Sequence, residues 1–579
     1  MKSELMLQHL SIGMSRRSSD VTLPTLASDS DSESDVEEQV LVPFLQPRIR
    51  RWSSHWISFL LEPRISKGSD SLPLQLHARK YLKFLIFVPL AAVAAILFTA
   101  LYLTPFLRQQ NVYTFAEEAF WNTILQNRLG TILLLVFPIC TALLYDLVQE
   151  VFTMVMLLRG RRRRVLPTNV PRLIHGVIVC NYKEPIEVLR ATVDSLAQNT
   201  LAHNCVVVLA CEDRDPMAEA TYTQLKSEYQ NSFRSFIMTK HTLTTGEVAG
   251  KSSNENYACR ELHQLLVNEQ GVDPYSVMVT TCDADSLFDR VYLEQVEAEF
   301  CRMPDGRRFI YNAPINTYRN LPECNLLVKI FEISRCQFDC FRGFNFRPAQ
   351  SNYSLTLGFA EEINFWDPSN TSEDFHTTIK AMAVTGKGTH VVVPVWSFIL
   401  NDSVTAFHDR WVQAKRHMWG IEEVAFTVLL FPHLRINLWL SLFGMVGTQM
   451  FSTCTPSFLY LLFPSVRAVL FSLRPETQQL LIGVTIASVL YSWLKTMVRE
   501  IFLYRYILAG RKLMMRRSVL EWIQIGLAWP VASELSVIIF ACLATWRVLI
   551  HAVFHETLQY VTAPKALTMS TNTKPKKGI

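Results

Sequence analysis

Two aspartates one residue apart, Asp283 and Asp285, follow the run VMVTTC within Val277 to Arg290. The β-branched and apolar residues up to Cys282 read as a buried strand, and the sequence after Leu287 as the start of a helix. Carboxylates at the C-terminal, solvent-facing tip of such a strand stand where an open α/β sheet places its ligands. Hard oxygen donors suit Mg²⁺ or Mn²⁺, and an ion held there carries a diphosphate; the plain alternative is a solvated Asp-x-Asp turn. Two other predicted strand tips are acidic, with Tyr182 and Glu184 after one and Glu212, Asp213 and Asp215 on the next. Further on, Asp374 at a helix start, beside Glu373, suits a general base. Gln413, Arg416 and His417, at i, i+3 and i+4, share one helical face. They line one pocket, or else Arg416 and His417 touch lipid headgroups.

These residues need a scaffold. Residues 170 to about 400 hold no apolar run of membrane-spanning length. LIHGVIVC, a helix from Pro185 to Gln198, NCVVVLAC, a helix from Ala218 and VMVTTC give a β-α-β-α-β rhythm, hence a parallel sheet with helices on its faces.

The chain of 579 residues is 49% hydrophobic and only 18% charged, which points to membrane segments. Twelve cysteines without a CxxC pair read as reduced thiols in a cytosol-facing domain. Residues 1–47 form an acidic, serine-rich tail with too little apolar surface to fold, and 48–80 an amphipathic segment at a membrane surface. Two spans are expected in 81–158, Tyr81 to Leu103 and Leu129 to about Leu147, the second continuing into a more polar turn at Asp146, Gln149 and Glu150. Their length suits the hydrocarbon core. The arginines of RGRRRR, Arg159 to Arg164, mark the cytosolic side, and the catalytic domain, 165–420, follows. Residues 421–435 read as interfacial and 436–556 as three or four spans. The stretch Val519 to Phe554 is either one tilted span or a hairpin broken at Pro530, the Lys-bearing tail 557–579 favouring the hairpin. Arg499, Arg505, Arg511, Lys512, Arg516 and Arg517 form a second inside marker.

The succession of acidic tips, Ser372-Glu373-Asp374 and Gln413-x-x-Arg416-His417 resembles the membrane-integrated family 2 glycosyltransferases, the group of the cellulose, chitin and hyaluronan synthases, over residues 165 to 435. The resemblance implies an α/β GT-A (Rossmann-like) cytosolic catalytic domain joined to a transmembrane helical bundle. It implies that Tyr182 and Glu184 frame a nucleotide base, Asp213 contacts base or ribose, and Lys251 lies near the nucleotide. It makes Asp283 and Asp285 the Mg²⁺ or Mn²⁺ ligands, Asp374 the base with Glu373 beside it, and Gln413 and Arg416 the diphosphate grip. His417 stands where the group has an acceptor-site Trp, which puts processive polymerisation in doubt. The expected partners are a nucleotide-sugar donor, UDP-linked, a glycan or lipid acceptor, and membrane lipid, with no nucleic acid. A single base and a metal-held leaving group imply inversion. The rivals are a single transfer to a lipid or short glycan, and a non-enzymatic nucleotide-binding scaffold, which has no use for Asp374. Three sequons, at Asn352, Asn370 and Asn401, fall in the cytosol on this topology and are expected to be unmodified.

Overall fold

The computed structural model describes residues 137–160, 166, 172–341, 348–421, 475–508 and 517–554. The expected tail 1–47, the segment 48–80, the spans at 81–103 and 438–463, nearly all of 421–435, and the tail 557–579 lie outside the described residues. Helix α1 (Phe137–Gly160) leads into β1 (Ile174–Asn181), α2 (Ile186–Ala197), β2 (Cys205–Glu212), α3 (Ala218–Tyr229), β3 (Ser235–His241), α4 (Lys251–His263) and β4 (Val277–Asp283). Then come β5 (Leu287–Phe288), α5 (Tyr292–Arg302), β6 (Ile310–Asn312), β7 (Ile315–Asn316) and α6 (Leu326–Cys340). They are followed by β8 (Tyr353–Thr356), α7 (Leu357–Glu362), α8 (Glu373–Thr385), β9 (Val392–Pro394), β10 (Ile399–Leu400) and α9 (Phe407–Met418). Helices α10 (Pro475–Leu508), α11 (Val519–Val537) and α12 (Ala544–Phe554) close the described part.

The seven-stranded sheet runs β3-β2-β1-β4-β8-β6-β9, and β5, β10 and β7 form a smaller one. Strands β1 to β4 pair in parallel, as the alternating sequence predicts. β8 is antiparallel to both β4 and β6, so the sheet is mixed. Strands covered on both faces need apolar side chains all along, and β2 is buried at every residue. One apolar layer takes Val177 and Val179 of β1 and the other Ile178 with α4. Gly176 permits that second contact, since a Cβ there would lie 2.4 Å from Leu262. Strand order reverses between β1 and β4, and their registers put Cys180 opposite Asp283. The ligand crevice of an open sheet forms at such a reversal.

One expectation needs correction here. No helix starts directly after Leu287: Leu287 and Phe288 are buried and pair with β10, and α5 begins at Tyr292. The more polar stretch at Asp146, Gln149 and Glu150 continues the same helix, α1. The Asp146 carboxylate accepts from Lys495 at 2.7 Å and Tyr491 at 2.9 Å on α10, and Glu150 pairs with Arg499. The polar residues of α1 thus join it to α10.

Residues Gln478–Arg505 and Val519–Val548 are helical, long and apolar enough to cross a membrane. Ile482, Ile486, Leu490 and Leu494 expose an apolar stripe at four-residue spacing. The hairpin expected at Pro530 does not form. Helix α11 runs through Pro530 and continues by a π-helical stretch, Ile538–Leu543, into α12. A proline leaves the carbonyl four residues back without its donor, and here the Trp493 indole N–H donates to Gly526 O at 2.9 Å. With the orphan satisfied, the helix has no need to break.

Candidate active site

Lys251 gathers the acids. It opens α4 behind Gly250, whose φ of +152° suits glycine. Its Nζ lies 3.0 Å from Asp283 Oδ1, 2.8 Å from Glu373 Oε1 and 3.5 Å from Glu255 Oε1, and also donates to Ser351 O. Burial opposes its charge, but Asp283, then Glu255 and Glu373, outweigh it and hold the ammonium well above the ordinary lysine pKa. The proposed metal side and the proposed base side therefore meet on one cation. Asp374 joins through the same loop, its Oδ2 accepting from Ser351 N at 3.2 Å and its Oδ1 from Phe375 N at 2.8 Å.

The protonation states diverge. Burial first, with Asp374 and Asp283 adding to it, pushes the Glu373 carboxyl up to about 8 against the pull of Lys251. Asp374 is also raised by burial, with Lys251 and its two backbone donors resisting. Glu255 is fully buried with both oxygens lacking a hydrogen bond, and burial raises it strongly. Of the three, Asp374 keeps the donors, Lys251 and two backbone N–H groups, that favour the ionised form a proton acceptor needs.

Asp283 is held by its backbone N–H, which donates to Asn352 Oδ1 at 2.8 Å, and by Asn401 Nδ2, 3.3 Å from its Oδ2. Asn352 also donates to Ser286 Oγ at 2.7 Å. Asp285 lies two residues on but only 3% of it is exposed, so the expectation that both aspartates face solvent holds for Asp283 alone. Asp283 and Asp285 are two hard oxygen donors, and among the described residues no group of three or more His, Cys, Asp or Glu side chains could hold a metal ion. That set fits Mg²⁺ or Mn²⁺, which commonly take one or two carboxylates and leave the remaining positions to substrate phosphates.

Tyr182 follows the tip of β1, between Lys183 and Arg214, each about 5 Å from its ring. The left-handed Lys183 (φ +58°) is pinned by its N–H donating to Asp215 Oδ2 at 2.9 Å, and Asn181 Nδ2 reaches the same oxygen at 3.4 Å. Asp215 thus shapes the β1 tip, a role its place in an acidic tip did not disclose. Glu184 N donates to Asn181 Oδ1 at 3.3 Å. Asp213 is half exposed and pairs with Lys240 at 3.0 Å.

On α9, Gln413 and Arg416 are half-buried and His417 exposed. Trp419 is buried edge-on against His551, so it does not stand in for His417. Gly420 packs so tightly that a Cβ there would meet Ser372 Oγ at 3.3 Å, which docks the end of α9 beside Glu373 and Asp374. Sequence reading missed Glu255, Ser351, Asn352 and Asn401. Asn352 and Asn401 were read as sequons, and both prove buried and bonded to Asp283.

The mannosyltransferase PcManGT from Pyrobaculum calidifontis, solved in complex with GDP-Man and Mn²⁺, is 13% identical over 65% of this chain and 99% of its own, with a TM-score of 0.37. GalNAc-T7, solved with UDP, GalNAc and Mn²⁺, is 12% identical over 44% of this chain and 48% of its own, with a TM-score of 0.27. No curated protein sequence matches the chain. Residues 278–550, from β4 through α9 to α12, match the family model for glycosyl transferase family group 2.

Proposed function

We propose that this chain is an inverting, metal-dependent glycosyltransferase that takes a sugar from a UDP-linked nucleotide-sugar at the cytosolic face of a membrane and builds a polysaccharide. The observation that carries it is Lys251 bridging Asp283 and Glu373 at 3.0 and 2.8 Å. The leaving-group side and the acceptor side meet, on this reading, on one lysine, with Asp374 bonded to the same Ser351 that Lys251 holds. In this reading Asp283 and Asp285 hold Mg²⁺ or Mn²⁺, which offsets the charge growing on the diphosphate. Gln413 and Arg416 hold the diphosphate oxygens. Tyr182 and Glu184 frame the base, and Asp213 contacts base or ribose. Asp374 takes the proton of the acceptor hydroxyl as it attacks, with Glu373 beside it. One displacement inverts the anomeric centre.

A single transfer to a lipid or short glycan is a second reading, favoured by the exposed His417. An imidazole offers a sugar hydroxyl polar contact where an indole offers a stacking face. The test is incubation of the purified full chain in lipid nanodiscs with a panel of nucleotide-sugars, following nucleotide release, product length and anomeric configuration. UDP release with an inverted product supports the proposal. Products one sugar longer than the acceptor select the second reading, and release from no donor contradicts both.

A further inference from the structure

Arg410 of α9 is almost fully buried, 2% exposed, and takes no part in the chemistry above. Its Nη1 lies 2.7 Å from Glu332 Oε1 on α6 and donates to Gln413 Oε1 at 2.6 Å, one turn further along α9. The guanidinium lies over the Phe331 ring, 4.6 Å from its centroid. Glu332 is fully buried in turn. Its other oxygen accepts from Thr317 Oγ1 at 2.8 Å and lies 2.9 Å from Arg335 Nη2. A buried charge is tolerated only when its partners are fixed, so Arg410 has little freedom to move.

The chemistry of that contact fixes an orientation. A guanidinium is a donor only, and a glutamine amide has one accepting and one donating end. Arg410 can therefore hold only the carbonyl of Gln413, and the amide N–H pair must point away from it. Arg416 shares that side of the helix, one turn on.

Resting on the glycosyltransferase reading, we propose that Arg410, braced by Glu332, is a positioning residue that turns the N–H donors of Gln413 toward the donor diphosphate. Without the clamp the amide rotates freely and presents either end, and its carbonyl repels a phosphate oxygen.

The test is calorimetric titration of UDP with Mn²⁺ into the full chain in nanodiscs, for Gln413→Ala, Arg410→Met, Arg410→Lys and the double variant Arg410→Met/Gln413→Ala. A hydrogen bond to a charged group is commonly worth about tenfold or more in affinity. Gln413→Ala and Arg410→Met should each weaken UDP by about that factor, the double variant should lose no more than either, and Arg410→Lys should recover part. Should Arg410→Met fail to fold with Glu332 stranded, Glu332→Gln/Arg410→Met removes both charges and is compared with Gln413→Ala in the same way. Additive losses, or parental affinity with only a lower melting temperature, overturn the inference and leave Arg410 structural. If Gln413→Ala and Asp283→Asn also bind UDP like the parent, the glycosyltransferase reading falls and the inference with it.

Discussion

At the residue scale, charge balance governs the pocket. Asp283, Glu255 and Glu373 surround one ammonium, so not all of them can ionise freely. The Glu373 pKa of about 8 lies above that of the unfolded chain, so the folded state holds the extra proton. The stability this gives is present at low pH and is lost as pH rises through about 8. The melting temperature should fall as pH rises from about 4.5 to about 8, and Glu373→Gln should flatten that fall. A parental slope in the variant assigns the titration elsewhere. The two metal-side aspartates should also separate. Asp283→Asn should leave the fold intact, whereas Asp285→Asn, at a site 3% exposed, should lower the melting temperature as well as activity. Equal melting temperatures for the two variants would count against this placement. The types and spacing of Asp283, Asp285, Glu373 and Asp374 were readable in sequence. Glu255 was not, since a glutamate in a helix reads as a solvated residue until the fold buries it.

At the element scale, the parallel half of the sheet was legible because β1, β2 and β4 are continuous apolar runs separated by helical stretches. The antiparallel β8 and the two-residue strands β5, β7 and β10 were not, because such short segments carry no period. Pro530 is the clearest misreading, since a proline signals a break only when its orphaned carbonyl finds no donor. Trp493 supplies one, so Trp493→Phe should cost about 1 kcal/mol, seen as a lower melting temperature in nanodiscs. With Pro530→Ala the backbone N–H of residue 530 returns, and the same Trp493→Phe change should then cost little. If its cost is unchanged by Pro530→Ala, the indole serves some other purpose. The ties of α6 to the C-terminal helices are also long-range: Lys329 meets Glu521 at 2.7 Å, and Gln337 reaches Glu500 at 3.1 Å.

At the scale of the whole molecule, the inside marker of the sequence is partly internal. Arg499 pairs with Glu150, and the buried Arg517 pairs with Glu500. The sequons bear on the same question. Asn352 is fully buried and Asn401 nearly so, both bonded beneath Asp283, with no room for a glycan. Glycosidase treatment should give no mass shift at Asn352, Asn370 or Asn401, and a shift at any of them would overturn a cytosolic catalytic domain. The central claim, that a nucleotide side and a base side share the pocket around Lys251, is tested most directly by titrating UDP with Mn²⁺ into Asp374→Asn beside Asp283→Asn. The base acts on the acceptor and not on the nucleotide. Asp374→Asn should therefore bind UDP like the parent while transferring no sugar, and Asp283→Asn should lose binding, with transfer down by about a hundredfold or more. Equal loss of UDP affinity in the two variants would contradict it.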